Sequence, residues 1–488
     1  MHTYLLSLCI LLPLVGVLVA VICPSAIWLR RFALVTAGGE VLLCLYLGIH
    51  FDVDDRGIQF AERLDWIPEL GVAYHLGIDG ISLLPFVLTG LLLFVGLLAR
   101  PAPRGEVAGL LTVASGALGA FAARDLLFFY FCTEAVVLPL LVLVSRADLR
   151  PRAGLRMGLY GLAGSAPMLV AVIYLAVAHL QEVEQLSFDL ADLQTLDLPL
   201  RVQSWLLLAL SLGFAVRAPL IPFHAWLSAA QRVVSPGVAL VLICAWLQVG
   251  AYGILRFGPT LLPEAFVAWR ELLAVLAVVI AIYGALLGLA QDHLRAWLSS
   301  AMLSQVGWLL FGVCTLHVSG LKGSVFLLVG QSLGLGAIFL LAAMLAERGV
   351  ELSSGLGLGG VAPRFAGWLR FVVFMVLGLP GTVVFVGKFL VLIAAFQVWG
   401  GVGLLILVAA LLHSVGAFWL VQRIVCGVDG GRSVPEDMRW REAGLVASLL
   451  VCALALGLVP GPVLDRVSGS VDQMLLRAQA GGEQVGKE

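Results

Sequence analysis

Long apolar runs separated by short polar breaks recur along the chain, beginning near Tyr4, Phe32, Ile78, Val107, Leu126, Met157, Ser204, Val233, Glu271, Trp297, Gly323, Trp368, Val402 and Glu442. A helix that crosses a bilayer needs about 20 apolar residues, so the pattern predicts an all-α polytopic membrane protein with about 14 transmembrane helices. Two breaks are longer: FDVDDRGIQFAERLDWIPEL after the second run and QEVEQLSFDLADLQTLDLPL after the sixth. Both are acidic and rich in turn formers, which predicts solvent loops carrying a short hairpin or an amphipathic helix. The first run follows Met-His-Thr, with no basic segment and no small-residue cleavage site. It reads as a span rather than a signal.

Two runs are interrupted from within. Pro219 and Pro222 follow Arg217 in the seventh, and Gly378, Pro380 and Gly381 precede Lys388 in the twelfth. Proline removes a backbone donor and obstructs the preceding turn, freeing carbonyls that neighbours or water must satisfy. Broken helices at corresponding places in two halves point to a transporter site built from repeats. The spacing suggests a three-helix segment over 1–106, five-helix repeats over 107–258 and 269–427, and a last helix with a tail over 428–488. Kinks that only help packing are the plainer alternative.

Composition narrows the class. The chain is 61% hydrophobic and 12% charged, against about 25% charged in ordinary soluble proteins. A net charge of −1 implies neither nucleic acid nor an anionic surface as partner. The eight cysteines are scattered, without the spacing of a zinc, iron–sulfur or disulfide framework. GLGLGG at Gly355 to Gly360 follows no strand and separates two spans, so it reads as a linker rather than a nucleotide loop. Lys and Arg concentrate in alternate loops, among them Arg30, Arg31, Arg146, Arg150, Arg152, Arg156 and the loop from Arg423 to Arg441. That side is predicted to be cytoplasmic, which places both termini on the periplasmic side of a bacterial inner membrane.

Three charges stand inside apolar runs: Glu134, Arg217 and Lys388. A charge at bilayer depth costs at least ~2.5–3.5 kcal/mol, so such residues face the protein interior and mark ion paths, unless a long stem reaches the interface. Glutamate is too short for that escape. Candidates for a relay, in chain order, are Glu134, Arg217, His224, Gln248, Gln305, Gln331, Lys388 and His413. Glu134 and Arg217 are expected to form the first pair, the cation holding the carboxylate ionised; Arg217 can bias that neighbour but cannot itself pass a proton. A buried lysine titrates more readily, glutamines orient water, and a lone histidine is as often a packing residue as a relay member.

The motifs LGIDGISLLPFVLTGLLL, FYFCTEAVVLPLLVL, FAVRAPLIPFHAWL, VGAYGILRFGPTLLP, RAWLSSAMLSQVG and GLPGTVVFVGKFLVL resemble, in order and over nearly the whole chain, the antiporter-like membrane subunits of respiratory complex I, chain M type. Chains L and N and the membrane subunits of cation/proton antiporters and membrane-bound hydrogenases share much of the pattern. The resemblance implies a fold of 14 helices containing two inverted five-helix repeats, each with a broken helix. It also implies proton translocation in the membrane arm of an NADH–quinone oxidoreductase. Other subunits would carry the flavin and iron–sulfur clusters, with no cofactor or metal on this chain.

Carried over position by position, Glu134 matches the family glutamate. Arg217 stands for a lysine, Gln248 for a lysine before AYG, Gln331 for a histidine and Lys388 for the glutamate of GFVGEF. Ala229 and Gln231 replace the acid and histidine of LPDAH, and Gln305 the histidine of SHMG. The departures fall on the path itself. The sequence therefore leaves open a modified proton pathway in complex I, membership of a hydrogenase or antiporter complex, and a structural membrane-arm subunit with a degenerate path.

Overall fold

The computed structural model describes residues 4–147, 152–350, 357–426 and 436–485. Its helices are α1 (Leu5–Ile22), α2 (Ala26–His50), α3 (Gly80–Ala99), α4 (Arg104–Ala122), α5 (Leu126–Ala147), α6 (Arg152–Val183), α7 (Leu190–Leu193), α8 (Leu200–Arg217), α9 (Ala225–Val233) and α10 (Pro236–Val241). They continue with α11 (Gln248–Leu261), α12 (Pro263–Leu289), α13 (Leu294–Cys314), α14 (Val318–Glu347), α15 (Leu358–Val361), α16 (Pro363–Leu377), α17 (Val383–Trp399), α18 (Ile406–Val425), α19 (Trp440–Leu458) and α20 (Gly461–Val485). Among the described residues, 13 helical runs are long and apolar enough to cross a membrane, and one of them, Val383–Val425, contains both α17 and α18. The expected thirteenth span thus shares a run with the second half of its predecessor. Arg150, Gly355 and the 427–428 boundary lie outside the described residues, as does the middle of the loop between Arg423 and Arg441.

The chain gathers into two compact units. One comprises Met1–Pro219, Cys244–Glu271 and Leu464–Glu488; the other comprises Leu220–Ile243 and Leu272–Val463. In the first unit α4 packs against α1, α3 and α5, and α6 against α5 and α8. The first acidic loop forms an antiparallel hairpin of β1 (Gln59–Ile67) and β2 (Val72–Ile78), with Leu64 opposite Tyr74. The second acidic loop carries α7, and its backbone joins the connection between α4 and α5 through Leu126 N–H to Phe188 O and Leu190 N–H to Arg124 O, both 2.8 Å. The amphipathic α20 lies along this loop face: Ser470 Oγ accepts from Gly80 N–H at 3.0 Å, and Gln473 Nε2 donates to Arg56 O at 2.9 Å.

In the second unit the apolar central stretch of α14 is wholly buried, whereas only about a quarter of the apolar stretch of α19 is buried; α14 packs against α13, α16, α17 and α19. The exposed faces are apolar, as lipid requires, and carry Phe389, Phe396, Leu411 and Phe418.

Both interrupted runs are broken in the structure. α8 ends at Arg217, and the chain passes through Pro219 and a cis Ile221–Pro222 peptide before α9 begins. α16 ends at Leu377, where Gly378 takes a left-handed conformation (φ +98°) that a side chain would strain. Pro380 and Gly381 follow before Thr382 caps α17 by accepting from Phe385 N–H.

Candidate functional site

In the first unit the break after α8 leaves Arg217 in the last helical turn, fully buried. Gly250 lets α11 approach that end: a Cβ there would meet Ala218 N at 2.5 Å and Arg217 Cβ at 2.7 Å. Arg217 Nη2 donates to Glu134 Oε1 at 2.8 Å, to Ser165 Oγ at 3.1 Å and to Thr133 Oγ1 at 3.5 Å, while Nη1 donates to Gly213 O at 3.0 Å. Ser165 Oγ also donates to Glu134 Oε1. The guanidinium lies 5.8 Å from the Trp246 ring centroid. Glu134 is the less enclosed partner, with 24% of its side chain exposed against 2% for Arg217. The expected Glu134–Arg217 pair is therefore formed, with the cation inside and the carboxylate at the accessible edge. Gln248 is buried at the start of α11, just after a π-helical stretch over Leu242–Leu247. Such stretches recur at functional sites.

In the second unit the break in α16 governs the geometry. Its last carbonyls lack helical partners, and two side chains take them: Lys388 Nζ donates to Leu377 O at 2.9 Å, and Gln305 Nε2 donates to Val376 O at 3.2 Å. A cation at a helix C-terminus is favoured by the helix dipole. Lys388 Nζ also lies 5.6 Å from the Trp308 ring centroid. Gln331 Nε2 reaches Met302 O at 3.4 Å, one turn before Gln305 on α13. His413 is buried against the Trp297 ring at 5.3 Å, and His224 stands edge-on to Tyr283 at 5.8 Å. Both histidines are in aromatic packing environments. The side chains of Ala229 and Gln231, on α9, lie outside the described residues.

Sequence reasoning missed Ser165, Thr133 and the two tryptophans, which carry no charge to mark them. It also passed over Glu40, a fully buried carboxylate on α2 that accepts from Cys44 Sγ at 3.4 Å. Its signal was the same as that of Glu134: an acid within an apolar run.

A family profile described as NADH:quinone oxidoreductase/Mrp antiporter, TM, matches residues 123–413. The chain belongs to this family. NADH-quinone oxidoreductase subunit M of Mycobacterium tuberculosis is 30% identical over 96% of this chain and 94% of its own length. The subunit of the same name from Rhodobacter capsulatus is 31% identical over 89% and 88%. A chain of respiratory complex I from Thermus thermophilus with bound NADH superposes with a TM-score of 0.87 at 29% identity, covering 96% of this chain and 99% of that one. Within this antiporter-like family the present chain is a multi-span membrane subunit of the chain M type.

Proposed function

We propose that this subunit works in the membrane arm of an NADH–quinone oxidoreductase, where it carries protons along a modified path through Glu134, Arg217, Gln248, Gln331 and Lys388. The buried Glu134–Arg217 pair is the observation that carries the reading. Electron transfer is assigned to partner subunits with flavin and iron–sulfur clusters, and this chain contributes no redox site. It lies in a bacterial inner membrane with both termini on the periplasmic side.

Each charged group has a distinct task. Glu134, at the accessible edge, takes up a proton; this weakens its attraction to Arg217, which stays anchored on Gly213 O. Arg217 is a fixed charge that biases Glu134 without titrating. Lys388 releases a proton from Nζ and regains its hold on Leu377 O when reprotonated. Gln248, Gln305 and Gln331 orient water along the path. The two five-helix repeats are assigned to 107–258 and 269–427.

Affinity purification of the tagged chain in mild detergent tests complex membership. NADH–quinone reductase activity is expected to copurify with it. Copurification of hydrogenase activity, or of small antiporter chains without NADH oxidation, would overturn the assignment.

A further inference from the structure

The loop face of the first unit contains a cavity of about 200 Å³ lined by Asp79, Arg124, Gln194, Arg256, Gln473 and Arg477. These residues come from the N-cap of α3, the α4–α5 connection, the end of α7, the second half of α11 and the middle of α20, so the cavity lies where α3 and α5 begin and α4 ends, with α20 laid across them. Its charges do not balance. Asp79 Oδ2 accepts from Arg256 Nη1 at 2.7 Å, and its Oδ1 is occupied by Ser82 N–H at 3.0 Å. Arg124 Nη1 stands 3.9 Å from Asp79 Oδ2, too far for a hydrogen bond. The Arg124 side chain is only 9% exposed, yet among the described residues its Nε and Nη1 find no acceptor. The other nearby acids are engaged: Asp189 by His75 at 2.6 Å and Arg63 at 3.4 Å, and Asp472 by Arg56 at 3.7 Å. Arg477 adds a third guanidinium at the rim.

We propose that this cavity binds a phosphate-class oxyanion, the group shared by free phosphate and a phospholipid headgroup. Guanidinium forks match tetrahedral oxyanions, and such an anion supplies the acceptors that buried Arg124 lacks. The cavity exceeds what a single water fills, and helix ends lie at the level of lipid headgroups.

The test uses the full chain, purified in neutral detergent with the subunits that accompany it, at fixed salt. Binding of radiolabelled inorganic phosphate and of dioctanoyl phosphatidylglycerol is compared among wild type, Arg124→Gln, Arg477→Gln and Arg370→Gln, the last altering an exposed arginine of the second unit, outside the cavity lining. Arg124→Gln is expected to remove one class of site and Arg477→Gln to weaken it about tenfold, as for a lost charge-assisted hydrogen bond, with Arg370→Gln unchanged. Loss of both probes identifies a general oxyanion site; loss of the lipid alone identifies a headgroup site. Equal binding by wild type and Arg477→Gln, or equal weakening in Arg370→Gln, would overturn the proposal. Arg477→Gln alters an exposed side chain, so it decides the matter even if Arg124→Gln fails to assemble.

Discussion

Arg217 spreads its donors over Glu134, Ser165, Thr133 and Gly213, a distribution that a lysine's single ammonium cannot reproduce. Arg217→Lys is expected to assemble but to lose about 1–3 kcal/mol, read as a shorter half-life in detergent at elevated temperature. An unchanged half-life would show that the fork contributes nothing. Arg217→Leu should be worse, by about 3–5 kcal/mol, because it strands Glu134 without its cation. The pair itself was legible in the sequence, since lone charges in apolar runs need partners. Its hydroxyl neighbours were not, because Ser165 and Thr133 resemble any other small polar residue within a helix.

At the scale of elements, breaks matter more than spans. Prolines and glycines announced both interruptions, but which side chain would take the freed carbonyls depended on packing. Lys388 read as a reversed charge in the sequence; in the structure it is also the donor to Leu377 O. Lys388→Met removes that donor and is expected to destabilise the subunit by about 1–3 kcal/mol as well as impair pumping. Full pumping in the assembled mutant would mark Lys388 as a cap only. The loop-face elements give a pH prediction. Burial pushes the Asp79 carboxyl up, but Arg256 and Arg124 outweigh it and hold it down from 3.8 to about 2. A depressed carboxyl stabilises fully above its unfolded value and loses that contribution as pH falls through the folded one. Hydrogen exchange at the start of α3 is therefore expected to show no loss of protection attributable to Asp79 between pH 5 and 8. A loss in that window that Asp79→Asn abolishes would contradict this. The Asp79–Arg256 pair spans 177 positions, so no local pattern could reveal it.

For the whole molecule, hydropathy was enough to place nearly every span, while the grouping of distant segments into two units was not readable from it. Residues 464–488 return to the first unit because α20 is amphipathic and finds its partners on the loop face. The central claim is that a family member with arginine, glutamine and lysine at unusual positions still carries protons. Its most direct test is the proton-to-electron ratio of the purified complex in proteoliposomes, comparing wild type with Glu134→Gln at equal electron flux. A lower ratio in the assembled mutant is the predicted result; an equal ratio would contradict the account and leave Glu134 as a static partner of Arg217.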